Sequence, residues 1–123
     1  MAMTADQQGR LAEAEACEFL KKKGYTLLVN RHKTPYGEID LLMVKGKAII
    51  AVEVKYRRTL TTAAESISDR QKKRIQNALS SFLEQHPELA DKYPFTQFDV
   101  VLLCTSKTVI HISNAWQVED DFL

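Results

Sequence analysis

Glu38, Asp40, Glu53 and Lys55 are spaced so that two neighbouring strands would gather them on one face. Ile39, Leu41 and Met43 alternate with Glu38, Asp40, Leu42 and Val44, and Ile50, Val52 and Val54 alternate with Ile49, Ala51, Glu53 and Lys55. Period-two alternation with β-branched residues is the strand signal. Gly46-Lys47 between the runs suits a two-residue type II′ hairpin loop, with glycine at the first central position. Lys45 then pairs with Ala48, Val44 with Ile49 and Leu42 with Ala51. Asp40 meets Glu53, and Glu38 meets Lys55. Opposed residues place their Cβ atoms about 4.5–5.5 Å apart. Two carboxylates so close repel unless a cation lies between them. Hard oxygen donors suit magnesium or manganese. The plainer alternative is a Glu38–Lys55 cross-strand ion pair beside two solvated acids.

Asp40 with Glu53-Val54-Lys55 resembles the PD-(D/E)xK nuclease superfamily. The wider pattern is more specific. Gly37-Glu38-Ile39-Asp40-Leu41-Leu42 and Val52-Glu53-Val54-Lys55-Tyr56-Arg57 resemble the YraN-like bacterial family of predicted nucleases, itself similar to archaeal Holliday junction resolvases. The resemblance implies a magnesium- or manganese-dependent endonuclease acting on DNA; similarity to resolvases points to branched structures, while nicked DNA, single strands and RNA stay open as substrates. Its catalytic residues would be Glu13, Asp40, Glu53 and Lys55. Asp40 and Glu53 would hold the metal, with Glu13 nearby or through water; Glu38 and Gln71 would be accessory. Similarity to resolvases also implies a homodimer.

The elements must then position these residues. A helix from about Gln8 to Lys23, stopped by Gly24, carries Ala12, Ala16, Cys17, Phe19 and Leu20 as its apolar stripe. Glu13 shares that stripe's face. A carboxylate there is costly unless it is paired or binds a metal. The family usually has glycine where Ala12 stands. Tyr25 to Arg31 reads as the first strand, and Asn30-Arg31 resembles a pair in the family. Arg57 to Ser68 reads as a loop beside the site. Ser68 and Gln71 form a capping box that opens a second helix with Ile75, Ala78, Leu79, Phe82 and Leu83 as its core face. Lys72 resembles a family lysine. Glu88 to Pro94 reads as a surface connection. Gln97 to Leu103 reads as a fourth strand, in which Phe98-Asp99-Val100-Val101 resembles the family and Gln97 replaces its usual arginine. Asp99 is read as structural or at an edge. Thr108 to Ile112 suggests a last strand, and Trp116 packs near the chain's end.

Helix, hairpin strands, helix and strand imply a mixed sheet with one parallel crossover. The expected class is α/β: the αβββαβ core of the restriction-endonuclease-like fold, a sheet flanked by helices. The chain has 123 residues, 45% hydrophobic and 27% charged. That is one ordinary globular domain, with a core from about 8 to 113 and a tail from 117. No apolar run has transmembrane length and no secretory signal opens the chain, so a cytoplasmic protein is expected. Cys17 and Cys104 show no metal spacing, and His32, His86 and His111 form no zinc pattern. No phosphate-binding glycine loop or serine elbow occurs.

Net charge is only +1, but basic residues cluster at Lys21 to Lys23, Arg31 to Lys33, Lys55 to Arg58 and Arg70 to Arg74. Arg31, Arg57, Arg58, Lys72 and Lys73 are the candidate nucleic-acid contacts. Two other functions fit fewer of these features: a nucleic-acid-binding protein of the same fold without efficient nuclease activity, and an adaptor that presents the hairpin's acidic face to a protein.

Overall fold

A computed structural model describes residues 2–59 and 67–118. The elements are α1 (Ala5–Lys22), β1 (Thr26–Thr34), β2 (Gly37–Lys45), β3 (Ala48–Arg57), α2 (Asp69–Gln85), α3 (Pro87–Lys92), β4 (Phe95–Cys104) and β5 (Val109–Trp116). The strands form one sheet in the order β1-β2-β3-β4-β5. Pairing is antiparallel except between β3 and β4, which run parallel and are joined by the crossover through α2. This is the expected restriction-endonuclease-like α/β core.

Helices cover both faces of the sheet. Ala12, Ala16, Cys17 and Leu20 of α1 pack on Leu41, Met43, Ile50, Val52, Val101 and Leu103. Ile75, Ala78, Leu79 and Phe82 of α2 pack on Ile39, Leu42, Val44, Ile49, Ala51 and Phe98. Burial on both faces explains why Leu41 to Val44 and Ile49 to Val52 are all apolar.

Helix α1 begins earlier than its apolar stripe suggests. Thr4 and Gln7 form a complete capping box, a signal that lies before the first stripe residue. At its other end, Tyr25 N–H donates to Leu20 and Gly24 N–H to Lys21, with Gly24 at φ 91°; this is the Schellman stop. At α2 only half of the expected box forms: the Ser68 hydroxyl accepts from Gln71 N–H at 3.1 Å. Leu83 is partly buried. Glu88 to Pro94 is not a plain connection, because Pro87 starts the short helix α3. The last strand runs on to Trp116, which stacks on Phe98 at 5.0 Å. The loop expected beside the site falls largely on residues 60–66, which lie outside the described residues, as do residues 119–123 of the tail.

The hairpin register is as expected from Lys45↔Ala48 through Leu41↔Val52. Gly46 lies at φ 59°, and Lys47 is not among the residues with positive φ, which fits the type II′ loop. Asp99 is not at a sheet edge, because β4 lies between β3 and β5. It is fully buried at a register shift opposite β5.

Candidate metal centre

The β2–β3 ladder ends at Leu41↔Val52, one pair short of Asp40 and Glu53. Ile39 packs in the α2-side cluster with Leu42 and Val44, not with Leu41 and Met43 as strict alternation requires. So β2 turns on its axis near Asp40. On β1, the neighbouring pairs Asn30↔Leu41 and His32↔Ile39 put Arg31 opposite Asp40, and Arg31 has a left-handed backbone at φ 53°. Both strands are irregular at the same level.

These irregularities gather the acids. Carboxylate oxygens of Glu13, Glu38 and Asp40 lie within 4.8 Å of one another, the only group among the described residues with metal-holding geometry. Glu13 comes from α1, where burial raises its carboxyl pKa against the opposing hydrogen bond from Arg31. Asp40 and Glu53 are neighbours, as the hairpin suggested, joined by a side-chain hydrogen bond. Glu38, expected as accessory, stands inside the cluster, whereas Glu53 joins it through Asp40. Glu53 is 7% exposed. Burial first, then the charge and hydrogen bond of Asp40, push its carboxyl up to about 8, while Lys55 opposes the shift. Lys55 Nζ lies 3.5 Å from Glu53 Oε1. Its described ion pair is thus with Glu53, not with Glu38, because the ladder ends before Glu38 and Lys55 could be opposed.

The acids open onto a cavity of about 540 Å³ lined by Gly37, Glu38, Asp40, Glu53, Ser68, Arg70, Gln71, Arg74 and Ile75. Gln71, expected as accessory, lines this cavity. Arg74 also fixes the turn beside the site, donating from Nε to the Tyr36 carbonyl at 3.2 Å. Arg70 and Arg74 belong to a recognised basic run, but only the three-dimensional path of α2 singles them out. Lys72 and Lys73 line a different cavity, of about 670 Å³, with Gln76, Asn77, Phe98 and Trp116. Arg57 donates to its neighbour's carbonyl, Tyr56 O, at 2.8 Å. Arg58 contributes its carbonyl to the Thr105 hydroxyl at 3.2 Å. Arg31 donates from Nε to Glu13 at 2.8 Å and from Nη1 to Asp6 at 3.1 Å.

The histidines take no part in this cluster. His32 and His86 both contact the Phe82 ring, and His111 contacts Asp99 at 2.7 Å. Cys17 and Cys104 are free and buried.

A five-stranded mixed sheet between helices, with carboxylates gathered where its central hairpin splays, defines the restriction-endonuclease-like class of α/β protein. Within that class, residues 12–103 match the uncharacterised protein family UPF0102. The chain belongs to this family, the YraN family of the sequence resemblance. It is 38% identical over 115 residues to a UPF0102 protein of Parvibaculum lavamentivorans, covering 94% of this chain and 85% of that one. It is 37% identical over 116 residues to one of Nitrobacter winogradskyi, covering 94% and 97%. A UPF0102 protein of Rhodopseudomonas palustris is 40% identical over 114 residues, covering 93% and 86%. Among the described residues no helix is long and apolar enough to cross a membrane.

Proposed function

We propose that this protein is a divalent-metal-dependent endonuclease that hydrolyses phosphodiester bonds of DNA, with selectivity for branched structures. The observation that carries this reading is the approach of Glu13, Glu38 and Asp40 to within 4.8 Å, beside Glu53, which burial and then Asp40 push toward protonation. A folded chain keeps such a crowd only if something offsets its charge. Arg31 and Lys55 offset part of it. Three hard oxygen donors on two separate elements fit magnesium or manganese.

Glu13, Glu38 and Asp40 would hold the ion. A bound divalent ion supplies an acidified water and polarises a phosphoryl oxygen. Lys55 adds a fixed positive charge beside Glu53, suited to orienting that water or offsetting charge developed on the phosphate. Arg70 and Arg74 line the cavity and suit phosphate oxygens, with Gln71 as a neutral donor. Lys72 and Lys73 on the adjoining cavity would extend the contact along the backbone. Among the described residues, the cavity's Arg70, Gln71 and Arg74 suit the sugar-phosphate backbone, which favours recognition of structure over sequence. Two symmetric cuts in a branched substrate would call for a homodimer.

The test is calorimetric titration of manganese into wild type and the double variant D40N/E53Q, with cleavage of branched and linear DNA assayed in the same buffers. Binding and cleavage are both expected in wild type and lost in the variant. Equal metal binding by the two proteins with no cleavage would leave a nucleic-acid-binding protein of this fold.

A further inference from the structure

We propose that Arg31 is a positioning residue that holds Glu13 in the metal-binding arrangement. This rests on the metal-centre reading above. Arg31 belongs to a basic sequence run and would ordinarily be assigned to phosphate contact. The geometry points elsewhere. Its Nε donates to Glu13 Oε1 at 2.8 Å and its Nη1 to Asp6 Oδ1 at 3.1 Å. Asp6 is itself held by Arg10 Nε at 3.0 Å. The guanidinium thus bridges two carboxylates of α1, one helical stretch apart, from a strand on the sheet.

The backbone supports the same conclusion. Arg31 stands opposite Asp40 in the β1–β2 register. Its φ of 53° is uncommon for a residue with a side chain. Regular strand geometry would alternate Arg31 with its neighbours; the left-handed turn instead accompanies a guanidinium aimed at Glu13. Strain of this kind is retained where surrounding contacts fix it and tends to occur at functional sites. Glu13 is only 7% exposed, and no other ion pair to it is found among the described residues. Among the described residues, Arg31 is thus the cation paired with its carboxylate.

A simpler role for Arg31 would be charge compensation, and the two roles predict opposite signs. Removing a compensating cation beside the centre should tighten binding of a second cation. Removing a positioning residue should weaken it, since partners that orient ligands contribute about 10–100-fold in metal affinity. Arginine's rigid fork also matters to positioning and not to charge, because lysine carries the charge without the fork.

The experiment is manganese calorimetry on wild type, R31M, R31K, E13Q and E13Q/R31M, with circular dichroism as the check on folding. We expect R31M to lose affinity by about tenfold or more. R31K should lie between R31M and wild type, at least about threefold weaker than the latter. In the E13Q background R31M should have no further effect, because Arg31 acts through Glu13. Unchanged or tighter binding by R31M, or an equal loss in both backgrounds, would overturn the inference. If R31M does not fold, R31K decides, and wild-type affinity in R31K overturns it. A wild type that binds no manganese would instead overturn the metal centre itself, and this inference with it.

Discussion

The Asp40 carboxylate accepts the Val54 backbone N–H at 2.9 Å, just past the point where the β2–β3 ladder ends. Hydrogen-bonded pairs alternate from Lys45↔Ala48, so a continued ladder would have offered that amide to the Ile39 carbonyl. A side chain has replaced a backbone acceptor. The exchange satisfies a donor that would otherwise be orphaned. It also holds Asp40 between β3 and the acids of α1 and β2. The rotation of β2 that moves Ile39 to the α2 side and the bond that fixes Asp40 are one event.

Burial of Glu53, with Asp40 beside it, makes stability depend on pH in the metal-free protein. Its pKa is pushed up to about 8 from the ordinary 4.5. The folded state therefore holds this proton more tightly than the unfolded chain. The stabilisation is fully present below about 4.5 and is lost as pH rises through about 8. Urea midpoints of wild type measured with chelator should fall between pH 5.5 and 9. Those of E53Q should be nearly flat over the same range and higher than wild type at pH 9. A wild-type midpoint that rises across this window would contradict the assignment.

Metal binding should release that proton. The charge of a cation held by the neighbouring Glu13, Glu38 and Asp40 favours the ionised form of Glu53, so cation binding and protonation oppose each other. Manganese affinity should then increase steeply between pH 6 and 8.5 and level off above. Calorimetry in two buffers of different ionisation enthalpy should report about one proton released per ion near pH 7. E53Q should release none from this position. Equal heats in both buffers at pH 7 would show that Glu53 is already ionised before the ion arrives.

The fold was more legible in the sequence than the site. Gly46-Lys47 and the alternating runs set a register that the sheet keeps from Lys45 to Leu41. Ala16, Leu20, Ile75 and Leu79 announce their helix faces by spacing alone. The site departs from that regularity because ladder rules do not anticipate where pairing stops. Extending the register paired Asp40 with Glu53 and Glu38 with Lys55. The first pair stays in contact, since Asp40 hydrogen-bonds Glu53, but the rotation at Asp40 brings Glu38 toward Glu13 and leaves Lys55 with Glu53. Arg31 shows the same limit. Nothing in Asn30-Arg31-His32 marks a left-handed residue, since the conformation is tied to contacts with Asp6 and Glu13 on another element. The start of α1 is a different case, since Thr4 and Gln7 form a capping box in plain view ahead of the apolar stripe.

Two glycines should respond differently to alanine. Gly46 at φ 59° has open space where a Cβ would stand, so its cost is backbone alone. G46A should lose about 1 kcal/mol, and G46N less, because asparagine tolerates this region. Gly37 at φ 153° lies in a region that essentially only glycine occupies, and a Cβ there would stand 3.5 Å from Arg74. G37A should cost about 1–3 kcal/mol. On the proposed function it should also weaken nucleic-acid binding at the cavity, because Gly37 and Arg74 both line it. Denaturant midpoints and an oligonucleotide titration on both variants separate these effects. Equal losses in G37A and G46A, with unchanged binding, would show that the Gly37 backbone does not support the cavity.

Asp99 should be a stability residue with no part in metal binding. Its carboxylate accepts from the Tyr25 hydroxyl at 2.6 Å, the Gln97 amide at 2.8 Å and the Asn114 backbone N–H at 2.9 Å, and contacts His111 Nε2 at 2.7 Å. Lys23 Nζ reaches the other ring nitrogen at 3.0 Å. The network ties the end of α1 and the start of β1 to β4 and β5. Burial, then the hydrogen bond and charge of Asp99, push the Tyr25 phenol up to about 12, so it stays a donor. D99A leaves several buried groups unsatisfied at once and should cost about 3 kcal/mol or more. Y25F removes one donor and should cost about 1–1.5 kcal/mol. The double variant should lose less than the sum, because the two residues share a bond. None of these partners belongs to the acidic cluster, so at temperatures where both variants are folded, manganese affinity should stay within about twofold of wild type. A tenfold loss of affinity in folded Y25F would mean that the network sets the seat of α1, and through it the placement of Glu13.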